Sequence, residues 1–126
     1  MKPRFEPGAN IAIKVPSHQF EQTVAFYRDI LGLEQNQPTS RQPLDSASFK
    51  FGGKILWIDR ASSIDRAEVW LEIQTDDTEA AAAYLERHKI DRCDNIEPLP
   101  AGFKGFWVNS PAHIVHLVDK LDSQAV

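Results

Sequence analysis

A single cysteine, Cys93, in 126 residues leaves no pair for an internal disulfide, so nothing marks an oxidising compartment and a cytoplasmic location is expected. Long apolar runs are missing too: none exceeds a few residues, which excludes a transmembrane helix and predicts no membrane partner. The opening Met1-Lys2-Pro3-Arg4-Phe5-Glu6-Pro7 lacks the apolar centre of a secretory leader. Glycine (6) and proline (8) are too few for a repeat or low-complexity chain, and 42% hydrophobic with 25% charged residues is an ordinary globular balance, expected as one domain over 1–126. Positive charge is scarce, with a net charge of −4. Residues 1–63 carry 8 basic and 6 acidic side chains and residues 64–126 carry 6 and 12, so no basic face is available for nucleic acid. No glycine-rich phosphate loop, paired-cysteine zinc site, His-Glu-x-x-His or Gly-x-Ser-x-Gly elbow is present.

What is present is a plan used twice. In Asn10–Val15 the residues Ile11, Ile13 and Val15 alternate with Asn10, Ala12 and Lys14, a strand with one apolar face. From Phe20 the apolar residues Phe20, Val24, Tyr27 and Leu31 fall on one face of a helix that Gly32 stops. A polar connection through Gln35, Pro38 and Pro43 leads to a strand over Ala47–Phe51, a Gly52-Gly53 turn and a strand over Lys54–Asp59. The second half repeats the order. Val69–Gln74 alternates, Asp76-Asp77-Thr78-Glu79 opens a helix with buried Ala81, Tyr84, Leu85 and His88, and strands follow over Phe103–Val108 and His113–Val118 around a turn at Asn109–Ala112. Ala25-Phe26-Tyr27 matches Ala83-Tyr84-Leu85 at an offset of 58, and Ile55–Asp59 matches Val115–Asp119 at an offset of 60. The predicted class is α+β: two tandem βαβββ modules, about 8–60 and 67–120, in a curved, partly open mixed sheet around a cleft, with helices on the outer face.

The string Ile-Lys-Val-Pro-Ser at 13–17, followed by Phe26-Tyr27-Arg28-Asp29-Ile30-Leu31-Gly32-Leu33, resembles the first module of the vicinal oxygen chelate superfamily, which includes glyoxalase, bleomycin-resistance and extradiol dioxygenase proteins. The segment Gly105–Leu117 resembles its closing hairpin, usually a strand, Asp-Pro-x-Gly-Asn and a strand with an inward Glu. The resemblance covers about residues 8–120. It implies a divalent metal held by His and Glu from the first and last strands of each module. Here those positions align with Asn10, with Leu56 (or Trp57 if the hairpin is shifted by one), with Trp70 and with His116. One imidazole cannot supply the three protein ligands of a catalytic metal centre, so no metal and no other cofactor is expected.

The resemblance then implies a bleomycin-resistance-like, homodimeric protein that captures an organic, partly aromatic small molecule without metal. Its ligand-binding residues are expected to be Asn10, Ala12, Leu56, Trp57, Trp70, Glu72, Trp107, Ile114 and His116. Indole rings stack on planar ligands, Asn10 can orient one by hydrogen bonding, and Glu72, two residues beyond Trp70 on the same face, can bind a ligand cation or pair with Lys14. The alternative is a lyase, isomerase or dioxygenase in which His116 and Glu72 are acid and base or hold a divalent metal. Cys93 lacks a partner base and is given no role.

Overall fold

The computed structural model describes residues 2–37 and 45–121, so Pro38 and Pro43 of the polar connection lie outside the described residues. Backbone pairing gives a mixed sheet with strand order β2-β3-β1-β4-β7-β6-β5, comprising β1 (Phe5–Pro16), β2 (Ser46–Phe51), β3 (Lys54–Ala61), β4 (Glu68–Thr75), β5 (Asp91–Arg92), β6 (Gly105–Asn109) and β7 (Val115–Lys120). The helices are α1 (Phe20–Ala25) and α2 (Thr78–Arg87). The class is α+β, as the two periodicities predict.

Contacts divide the chain into two compact units, Ala9–Trp70 and a second formed by Met1–Gly8 with Leu71–Val126. The expected boundaries, 8–60 and 67–120, shift because β1 is twelve residues long rather than six and its first residues pack with the second unit.

In the first unit β1 runs parallel to β3 and β2 antiparallel to it. Ile11, Ile13 and Val15 turn to one side, where α1 brings Phe20 and Val24 onto Ala47, Phe49, Leu56 and Ile58. The predicted helix is a composite: a 3-10 turn over Ser17–Gln19, α1, and a π-helical turn over Phe26–Ile30. The Leu31 amide donates five residues back to the Phe26 carbonyl (2.9 Å), and the wider turn swings Leu31 off the stripe that buries Phe20 and Val24, leaving it exposed. Gly32 ends the segment in the left-handed region (φ 72°), the conformation for which glycine suits the position. A single bridge from Gln35 to Phe49 stands where a third hairpin strand was expected.

The second unit has the same connectivity. Strand β4 runs parallel to β7, β7 pairs antiparallel with β6, and the two-residue β5 borders β6 as the Gln35 bridge borders β2. Asp77 caps α2, its Oδ1 accepting the Ala80 amide at 3.0 Å. Ala81, Phe106, Val108 and Val118 are buried between α2 and the sheet, with Phe5, Leu85 and Ile90 packed against them. The last strand starts at Val115, two residues later than predicted, because Ser110 and His113 close a tight turn (His113 N to Ser110 O, 2.7 Å) in which His113 takes φ 65°. No helix among the described residues is long and apolar enough to cross a membrane.

The repeat is visible in the registers: Ile11 pairs with Leu56 in the first unit and Leu71 with His116 in the second, an offset of 60 on both strands.

Candidate functional site

Side chains alternate between the two faces of a strand, so these registers decide what each expected site residue can reach. The helix-covered face of the first unit takes Leu56, which is 2% exposed within the α1 core. Leu56 therefore does not stand beside Asn10; Trp57, its neighbour, does. The same parity governs the second unit, where His116 shares the α2 side with Ile73 and Val118, while Glu72 points to the helix-free face. His116 and Glu72 are separated by the thickness of the sheet, and the acid-base pairing expected for them is not formed. The repeat offset was read correctly; of the two residues left open on the last strand of the first module, Trp57 takes the helix-free face, and His116, expected on that face, takes the other, because a one-residue choice inverts every side chain of a strand.

On the helix-free face of the first unit the Trp57 indole N–H donates to Asn10 Oδ1 at 2.8 Å, and Ala12 pairs with Trp57 across β1 and β3. Lys14 donates to Asp59 Oδ2 (2.9 Å) and lies over the Trp70 ring, 4.1 Å from its centroid, a cation–π contact at a largely desolvated ammonium. The other oxygen of Asp59 accepts from the Ser46 hydroxyl at 2.6 Å. Trp70 also donates to Glu68 Oε1 (3.1 Å). Four of the expected residues, Asn10, Ala12, Trp57 and Trp70, thus share one half-buried surface with Lys14.

The helix-free face of the second unit carries a group not anticipated from the sequence, Asp119. It is 8% exposed, it is hydrogen-bonded to Glu72, and its Oδ1 has no hydrogen-bond partner among the described residues. Burial first, then the hydrogen bond to Glu72 and the Glu72 charge, push its carboxyl up from 3.8 to about 8, so near neutral pH it holds a proton. Gly8 makes room for the pair, since a Cβ there would fall on the Glu72 side chain. Gly8→Ala should therefore destabilise the protein by about 1–3 kcal/mol through overpacking, read as a lowered urea midpoint.

The remaining expected residues lie elsewhere. Trp107 is on the Leu117 side of the hairpin but buried, its indole N–H donating to the Glu97 carbonyl (2.9 Å) and its amide to Asp94 Oδ1 (2.9 Å). It anchors the Asp94–Ile96 turn rather than offering an open ring. Ile114 is in the turn before β7, exposed, and its carbonyl holds His116 Nδ1 at 3.0 Å. The Cys93 thiol is pushed up by burial and then by Asp94, which disfavours a reactive thiolate.

The donors needed for a metal do not assemble. Asn10 Oδ1 and both Asp59 oxygens are engaged, and on the last strands the helix-free positions are Trp57 with Asp59 and Leu117 with Asp119. No group of three or more His, Cys, Asp or Glu residues that could hold a metal ion occurs among the described residues.

Neither a family model nor a curated protein matches the sequence. Solved structures do match in fold. The Mn(II)-bound glyoxalase from Novosphingobium aromaticivorans superposes with a TM-score of 0.63 at 20% identity, over 94% of this chain and 40% of that one. Homoprotocatechuate 2,3-dioxygenase from Arthrobacter globiformis gives 0.60 at 18% identity, over 94% and 37%. A hypothetical protein from Bacillus halodurans gives 0.65 at 16% identity, over 97% and 98%. This chain therefore spans less than half of the glyoxalase and dioxygenase chains it resembles, and nearly all of the third.

Proposed function

From the vicinal oxygen chelate fold of this chain, we propose that the protein is a metal-independent binder of small, partly aromatic organic molecules, acting in the cytoplasm as a homodimer. The observation that carries this reading is the side-chain set on the helix-free face of the first unit. Where the fold's relatives are expected to present metal ligands, this chain presents Asn10, Trp57 and Trp70, with the nearby carboxylates engaged, Asp59 by Lys14 and Ser46 and Glu68 by the Trp70 indole. The two indoles provide stacking area for a planar ligand at small cost in rotamer entropy, with Lys14, paired to Asp59, backing the Trp70 ring. Phe26, Ile30 (75% exposed) and Leu31 form an apolar surface at the π-helical turn, which supports pairing of two copies.

Elemental analysis of the purified protein, together with thermal shift in the presence of Zn²⁺, Ni²⁺, Mn²⁺ and anaerobic Fe²⁺, tests the metal question. The expected result is no stoichiometric metal and no metal-induced rise in melting temperature, with stabilisation by members of a planar aromatic library that is lost in Trp70→Ala. Stoichiometric metal that stabilises the fold would overturn the reading. Light scattering should give a dimer mass for the native chain and a monomer mass for Ile30→Glu.

A further inference from the structure

The two units differ most where their repeat should make them alike. On the helix-covered side of the first unit Phe49 pairs with Leu56, and both are buried to 2% exposure or less. At the corresponding register of the second unit the pair is Val108 with His116. A ring has become an isopropyl group and an apolar side chain an imidazole. Where Phe49 and Leu56 fill this position in the first unit, the second has a cavity of about 340 Å³ between α2 and the sheet.

The cavity wall is apolar and aromatic, with Phe5 and Tyr84 rings 5.9 Å apart, and no Asp or Glu lines it. Its residues with polar side chains are Lys2, Tyr84, Ser110 and His116. Lys2 makes no ion pair among the described residues. The Ile114 carbonyl accepts from His116 Nδ1–H (3.0 Å), so Nε2 is the nitrogen left to face a ligand, and it donates to a carboxylate when the ring is the imidazolium. Arg87, outside the lining, lies 5.7 Å from the Tyr84 ring centroid. The lining is thus aromatic in its body and cationic at its edge, and it is large enough for one small ring compound.

We propose that this α2-side cavity of the second unit is a binding site for a small aromatic carboxylate, with the ring against Phe5 and Tyr84 and the anionic end directed to Lys2 and His116. It lies on the opposite sheet face from Glu72 and Asp119 and does not depend on the metal-free reading above.

Phenylacetate and its neutral isostere phenylacetamide are the probes, titrated into the full chain and followed by ¹H–¹⁵N chemical shifts and by the His116 ring resonances. Phenylacetate should perturb Tyr84, Leu85, Val108 and Ser110, shift the His116 ring resonances, and bind about tenfold more tightly than the amide. Lys2→Gln should erase most of that difference without affecting the fold. The double substitution Val108→Phe with His116→Leu, which copies the first unit, should abolish the response. Perturbations confined to other residues, equal affinity for acid and amide in the native chain, or an unchanged acid preference in Lys2→Gln would each overturn the proposal. The Lys2 variant keeps the test decisive even if the refilled core does not fold.

Discussion

Phe49→Ala is expected to cost about 3–5 kcal/mol, enough to consume much of the ~5–15 kcal/mol by which a domain of this kind is stable. The ring is 0% exposed, sits in β2 opposite Leu56, and packs on Tyr27 with centroids 5.9 Å apart. Its backbone also receives the Gln35 bridge, so no neighbouring strand can collapse into the space without losing that pairing. The corresponding Val108→Ala in the second unit removes less surface and enlarges a cavity already there. It should cost about 1–2 kcal/mol. Urea unfolding of both variants measures the contrast; equal losses would mean that the two helix-covered cores are equally well filled.

The repeat, the order of elements and most strand centres were legible because they depend on periodicity, which the sequence states directly. Ile11, Ile13 and Val15 alternate, and they point as alternation requires. Boundaries were less legible for local reasons. The first residues of β1, Phe5-Glu6-Pro7-Gly8, contain a proline and a glycine that argue against a strand, and pairing within the second unit overrides that preference. The π-helical turn at Phe26–Ile30 adds a residue to a helical turn, something no apolar spacing announces.

The site was half legible. Asn10, Ala12 and Trp70 share a face with Trp57, as their parity on β1 and β4 implied. The choice between Leu56 and Trp57 needed the hydrogen-bond register, because Ile55-Leu56-Trp57-Ile58 is apolar throughout and carries no alternation to reveal which side is inward. The same ambiguity at Val115-His116-Leu117-Val118 placed His116 on the wrong face. A signal for the true face was present: both matched segments end in aspartate, Asp59 and Asp119, and two carboxylates at one parity mark the side without helices.

Those two aspartates have opposite fates, and the difference predicts a pH dependence. Asp59 has Lys14 and the Ser46 hydroxyl as partners, whereas Asp119 is buried against Glu72 and is raised to about 8. A carboxyl that binds its proton more tightly in the folded chain stabilises the fold fully below its unfolded value, near 3.8, and that contribution is lost as the pH rises toward about 8. Across that window the unfolded chain holds fewer protons than the folded one, so unfolding free energy should fall with rising pH, by up to about 1.4 kcal/mol per pH unit from this group. Asp119→Asn should flatten the profile between about pH 4 and 8, the span between the unfolded and folded values, and should melt higher than the native chain at the alkaline end. Glu72→Gln removes the neighbouring charge while leaving the burial. The Asp119 titration, followed by carboxyl ¹³C chemical shift, should then move down but stay above the ordinary carboxylate range, because desolvation is the largest of its causes. A native chain whose stability relative to Asp119→Asn rises with pH across this window would show instead that Asp119 is ionised in the fold.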